Sequence, residues 1–331
     1  MGAVTQDQAI AARARRAPQT PGALRLTRRH VLIAVAALTL LAAVAAVVAG
    51  LSTRASADVV VMDIPGSPTG LAASGDVVWV SSAGAQAVWP MDPDTGESEA
   101  GIRTGGAPSQ LAVGANALWI ADTAAAAVIP VQTSPQRLFS PIQVGADVTD
   151  LALTAGAVWV LSSAEGVVRA IEPDGGPLRR LPAGGAPVDL AANGRWVAVA
   201  GASGTLTRID ARTRRSLGPP VGLGGTPTAL AVSGDTAWVA DSSRSTVAAV
   251  DLRSGRLGAT VEVDRKPIAV AADGAELWVL CRGDRTLVQV DGRSGVVSRR
   301  DLDIDPTALA LDDEAVWVAS GADRKVLRIE R

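Results

Sequence analysis

PTALAVSGDTAWVADSSRSTVAAVDLRSG, residues 227–255, reads as short apolar runs closed by Gly, Asp and Ser. TALAVS, a turn at Ser233-Gly234-Asp235, TAWVAD, TVAAVD and a turn at Arg253-Ser254-Gly255 follow one another, and GATVEV comes next. Runs of four to six residues bounded by turn formers are strands; helices would need a longer stripe repeating every ~3.6 residues.

The same sentence recurs along the chain. Its anchor, the aliphatic residue three positions after the proline in P-x-x-L (Val148 in the third copy), falls at Leu71, Leu111, Leu151, Leu190, Leu230, Val270 and Leu309, with spacings of 40, 40, 39, 40, 40 and 39. Eight residues later stand Trp79, Trp119, Trp159, Trp238, Trp278 and Trp317. The fourth copy has Ala198 there and Trp196 two positions earlier, which keeps the indole on the same strand face. A period near 40 with four strands per copy predicts a seven-bladed β-propeller, an all-β fold. Both faces of a blade press on neighbours, so runs such as LALTAGAVWVL are apolar almost throughout.

The last copy has no strand d after KVLRIE, whereas residues 58–64 stand where a strand d precedes the first copy. This stretch is expected to join the last blade and close the ring, removing exposed sheet edges. The d-to-a and b-to-c loops then share one face, the top, and both ends of the propeller lie at the bottom.

Residues 1–30 are rich in Arg and broken by Pro and Gly, and read as a disordered cytoplasmic segment. Residues 31–51, VLIAVAALTLLAAVAAVVAGL, are uncharged and long enough to cross a ~30 Å hydrocarbon core, with the preceding arginines on the inside. Residues 52–57 form a short tether of at most ~20 Å, and 58–331 form the propeller outside the membrane. Two readings of the span stand: an uncleaved single-pass anchor, or a twin-arginine export signal around Arg28-Arg29 with cleavage after Ala55-Ser56-Ala57 and secretion.

Seven of the 31 basic and one of the 33 acidic residues precede Asp58, so residues 58–331 keep 24 and 32 and carry a net charge of −8. Such a domain is a poor nucleic-acid partner. The one histidine, His30, precedes the propeller, and there is no tyrosine, so a Ser-His-Asp triad, a histidine base and the usual zinc sites are denied to the folded domain. Cys281, the single cysteine, reads as a half-buried thiol at the end of a strand b, with Arg282 the one neighbour able to lower its pKa. The indoles at the fixed repeat position read as core, and Trp89 on the first strand c reads as outer-strand packing or an exposed contact. The acidic or amide residues ending each strand c, such as Asp92, Asp251 and Asp291, read as acceptors for the backbone of the following turn.

Two candidate sites remain. On the top loops of blades 5 to 7, Arg244, Arg265, Lys266, Arg282, Asp284, Arg285, Asp323 and Arg324 form a polar patch for a protein or small-molecule partner, where the earlier blades carry Gly-Gly and Ala-rich loops. At the channel mouth, the residue before the anchor is Gln110, Asp150 and Asp189 on three consecutive blades, oxygen donors that could hold Ca²⁺ or Mg²⁺; otherwise no cofactor is expected.

The P-x-x-L and W-V copies over residues 58–331 resemble the YVTN, or YncE-like, seven-bladed propeller repeat, with kinship to NHL repeats and to virginiamycin B lyase and gluconolactonase-like propellers. The resemblance implies the fold; its members include sensor domains, binding scaffolds, lyases and lactone hydrolases. The lyase group relies on a propeller histidine that this chain lacks, and the gluconolactonase-like group on clustered acidic metal ligands, for which Asp150 and Asp189 are the candidates. A tethered propeller is also similar to the sensor half of bacterial receptor kinases. The reading is a binding module, with a metal-dependent lactonase- or lyase-like enzyme as the alternative.

Overall fold

The computed structural model describes residues 59–331, apart from 115, 146, 173–178 and 296. The expected cytoplasmic segment, membrane span, export signal and tether lie outside these residues. Among the described residues no helix is long and apolar enough to cross a membrane.

Seven antiparallel sheets of four or five strands follow one another, one per repeat. Blade 5 matches the reading closely, with strand a at Pro227–Ser233, b at Thr236–Asp241, c at Thr246–Asp251 and d at Leu257–Glu262. The ring closes as expected. Val59–Asp63 pairs antiparallel with Lys325–Glu330, from Val59 opposite Ile329 to Asp63 opposite Lys325, and so supplies strand d of blade 7.

The core is seven separate clusters, one for each blade-to-blade interface. Each is built around the tryptophan of one blade set against strands b and c of the next. Trp79 meets Leu118, Ile120 and Ile129, and Trp317 meets Val78, Val80 and Met91 across the closure. Alanine stands opposite the indole on strand a, as in Ala72 with Trp79, Ala231 with Trp238 and Ala310 with Trp317. A small residue there leaves room for the ring without overpacking.

Blade 4 solves the same problem differently. Ala198 occupies the repeat position, and Trp196 fills the interface with Ala237, Val239 and Val250, donating from its indole to Asp235 at 2.7 Å. Opposite Ala198 lies Arg208, whose buried guanidinium donates to the carbonyls of Leu252 at 3.0 Å and Leu217 at 2.8 Å. Trp89 is half-buried on strand c of blade 1 (Ala87–Met91), with Gly101 against its indole. That is the outer-strand packing position.

Strand c ends behave as turn acceptors where they are aspartates. Asp92 accepts from the amides of Asp94 and Thr95, Asp210 from Thr213, Asp251 from Ser254 and Asp291 from Arg293 and Ser294. Their carboxyls are held below the ordinary range, first by these hydrogen bonds. Gln132 and Glu172 depart from the pattern. The Gln132 amide donates to Ser134, and Glu172 pairs with Arg214.

Candidate functional site

On the top face a carboxylate joins the d-to-a loop of a blade to its b-to-c loop, and its place in the sequence moves. In blade 2 it is Asp122, accepting from Ala107, Ala124 and Ala125; in blade 5 it is Asp241, accepting from Thr226, Ser243 and Arg244. In blade 3 it is Asp147 in the d-to-a loop, accepting from the Ser162 hydroxyl and the Ala164 amide. In blades 6 and 7 it sits in the b-to-c loop. Asp284 accepts from the Arg265 amide at 2.7 Å, and Asp323 from the Asp305 amide at 2.9 Å. Where the clamp ends strand b, the facing residue must be glycine, because a Cβ at Gly106 or Gly225 would overlap the Asp122 or Asp241 carboxylate.

This role divides the residues of the polar patch. Asp284 and Asp323 hold loops together. The Arg265 guanidinium is closed on Asp284, with contacts of 2.8 and 2.5 Å, and Arg282 on Asp305, with 2.8 and 2.6 Å. Each of these arginines stays protonated more firmly for its carboxylate, and Asp284 and Asp305 are lowered by the same contacts. Arg244 lies 3.5 Å from Asp241. Lys266, Arg285 and Arg324 are exposed, and among the described residues no carboxylate lies within ion-pair distance of them.

The backbone at these three residues is left-handed, as at Gln86, Ala126, Ala186 and Ser245. Lys266, Arg285 and Arg324 have φ of 55°, 55° and 56°. Arg285 and Arg324 occupy the position before strand c that is left-handed in all seven blades and is Gly166 in blade 3 and Gly204 in blade 4. A bulky side chain in this conformation costs ~1 kcal/mol or more relative to glycine. Two arginines stand where glycine would be less strained.

At the channel mouth the structure brings Asp150 and Asp189 together. Asp150 Oδ1 accepts from the Leu151 amide at 2.8 Å and Oδ2 from the Leu190 amide of the next blade at 2.7 Å; Asp189 Oδ2 accepts from the Leu230 amide of the blade after at 2.5 Å. The two carboxyls lie close enough to act on each other's protonation. Burial pushes Asp150 up to about 6 against these bonds. Burial and then the charge of Asp150 push Asp189 well above the carboxylate range. Both carboxyls therefore hold a proton to higher pH than a free aspartate.

Gln110 does not join them. It is exposed on blade 2 and hydrogen-bonds to neither aspartate, and among the described residues no group of three or more His, Cys, Asp or Glu is placed to hold a metal. Two carboxylates already accepting backbone amides leave most of a six- to eight-oxygen shell unfilled.

Cys281 is fully buried, not half-buried. Burial, then the nearby Asp264, pushes its thiol up to about 12, so the expected lowering by Arg282 is overridden. Arg282 instead turns to Asp305.

No known protein family matches this chain, and no curated protein does. Among solved structures, a streptogramin B lyase superposes with a TM-score of 0.70 at 13% identity, covering 82% of this chain and 98% of its own. This likeness establishes the seven-bladed fold and not a grouping within it.

Proposed function

We propose that the protein is a non-catalytic binding module, displayed outside the membrane by residues 31–51, that engages a protein or small-molecule partner through the top face of blades 5 to 7. One observation carries this reading: Lys266, Arg285 and Arg324 are exposed cations on neighbouring top loops, with no carboxylate within ion-pair distance among the described residues. The ion pairs beside them, Arg265 with Asp284 and Arg282 with Asp305, fix the loops that present them. Membership of the YVTN or YncE-like group belongs to this proposal and rests on the repeat.

The test is site-specific photo-cross-linking in cells from position 322, an exposed alanine in the blade 7 loop beside Arg324, with position 123 on blade 2 as control. A discrete adduct at 322 that disappears in Arg285→Glu/Arg324→Glu supports the reading. Equal labelling from both positions, or an adduct indifferent to the double reversal, overturns it.

The second reading, a Ca²⁺- or Mg²⁺-dependent lactonase- or lyase-like enzyme, draws on the perturbed carboxyls of Asp150 and Asp189 and on the likeness to the streptogramin B lyase. It ranks second because both carboxylates are committed to backbone amides and to each other.

A further inference from the structure

The opposite, bottom face carries a cleft of about 610 Å³ between blades 1 and 2, within the range of small-ligand sites. Its origin is in two sequence features. Pro90 stands on strand c of blade 1 opposite Trp79 and has no amide to offer an outer strand. Strand d there is reduced to Ile102–Arg103, with one isolated bridge, Met91 to Ser98, holding the preceding segment. On the facing side, blade 2 has Gly114 where other blades end strand a with Thr154, Ser233 or Asp273. Both walls are therefore cut back.

The cleft has an apolar floor that includes Trp79, Pro90 and Val113, and an acidic rim of Asp76, Glu97 and Glu99. No Lys, Arg or His is among its lining residues. The carboxylates do not converge on a point, since no metal-holding group of three exists among the described residues. They suit an elongated cationic ligand rather than an ion.

Trp79 adds an independent sign of a ligand. It is 4% exposed and lines the cleft, yet its indole N–H has no acceptor among the described residues. The indoles of Trp159, Trp196 and Trp317 donate to Thr154, Asp235 and Asp312. Those of Trp238 and Trp278 are sealed in the core without one, and that of Trp119, like that of Trp79, has no protein acceptor among the described residues and is not sealed. At Trp79 the open donor lies against the cleft, where an acceptor of a bound molecule can reach it.

We propose that this cleft binds a basic peptide segment, with a peptide carbonyl accepting from the Trp79 indole, an apolar side chain on the floor, and lysine or arginine side chains against Asp76, Glu97 and Glu99. The proposal is independent of the top-face reading.

The experiment is fluorescence anisotropy of the full chain at 150 mM salt with labelled acetyl-Phe-Lys-Lys-amide and, as control, acetyl-Phe-Glu-Glu-amide. The basic probe binds and the acidic one does not. Trp79→Phe weakens binding about three- to tenfold, the worth of one hydrogen bond. Glu97→Gln/Glu99→Gln weakens it and flattens its salt dependence, whereas Asp301→Asn/Asp313→Asn leaves it unchanged. Should Trp79→Phe fail to fold, Gly114→Gln serves, because a side chain there has room beside Leu153 and closes the cleft from the other wall. No binding of the basic probe, equal loss in both acid-neutralised pairs, or full binding with Gly114→Gln overturns the proposal.

Discussion

Replacing Asp150 by asparagine removes the ionisable partner of Asp189 while keeping an oxygen for one backbone amide and an NH₂ to donate to Asp189. In the wild type both carboxyls are raised in the folded state, Asp150 from 3.8 to about 6. A raised folded pKa means that the folded state binds protons more tightly than the unfolded chain. Stability is therefore fully present below pH ~4 and is lost as pH rises through ~6 and beyond. Roughly two pKa units at 1.36 kcal/mol each put the contribution of Asp150 at about 3 kcal/mol. About 2 kcal/mol of it remains at pH 4.5, so at ~2–4 °C per kcal/mol the wild-type midpoint should fall relative to the variant by roughly 4–8 °C between pH 4.5 and pH 8. The turn aspartates with lowered pKa values act with the opposite sign, but they are common to both proteins and cancel in the difference. Thermal scans of both proteins across this range are the assay. A gap between the two midpoints that stays constant with pH would refute the raised carboxyl of Asp150.

Other perturbations test the packing and the top-face clamps. Trp159→Ala, at a fully buried indole, should cost about 3–5 kcal/mol, against a smaller loss for the half-buried Trp89→Ala, read by urea unfolding. Gly225→Ala should destabilise strongly because its Cβ meets Asp241 and its φ is +67°. The cost should shrink in an Asp241→Ala background, a non-additivity that a double-mutant cycle measures. Arg285→Gly should raise stability by up to ~1 kcal/mol by relieving a left-handed residue while removing the proposed contact. Cys281 should react with a maleimide at the rate of unfolding alone, since the folded thiol is buried and pushed up to about 12.

The repeat made the architecture legible because a propeller states its core once per blade. The anchor leucines, the tryptophans and the displaced strand 58–64 are local signals, and Trp196 kept its face through a two-residue shift. The channel-mouth carboxyls were visible as oxygen donors. Their approach to each other and to the next blade's amides was not, because it depends on how neighbouring blades are staggered. The loop clamp was hidden for another reason: its role is constant while its residue moves among Asp122, Asp147, Asp241, Asp284 and Asp323. Charged loops on blades 6 and 7 therefore read as one patch, although most of their charges pair internally. The bottom cleft did leave a trace in the sequence, a proline at position 90 within a strand c and a glycine at 114. Neither is informative until the two walls are known to face each other.

The division between a binding face and a channel mouth whose carboxylates are committed to backbone amides is tested most directly by the thermal midpoint in EDTA, in Ca²⁺ and in Mg²⁺. A metal at a hundred times its dissociation constant adds ~2.7 kcal/mol, several degrees for a domain of this size. The account predicts one midpoint in all three conditions. A rise with either ion that vanishes in Asp150→Asn would contradict it and favour the metal-dependent enzyme.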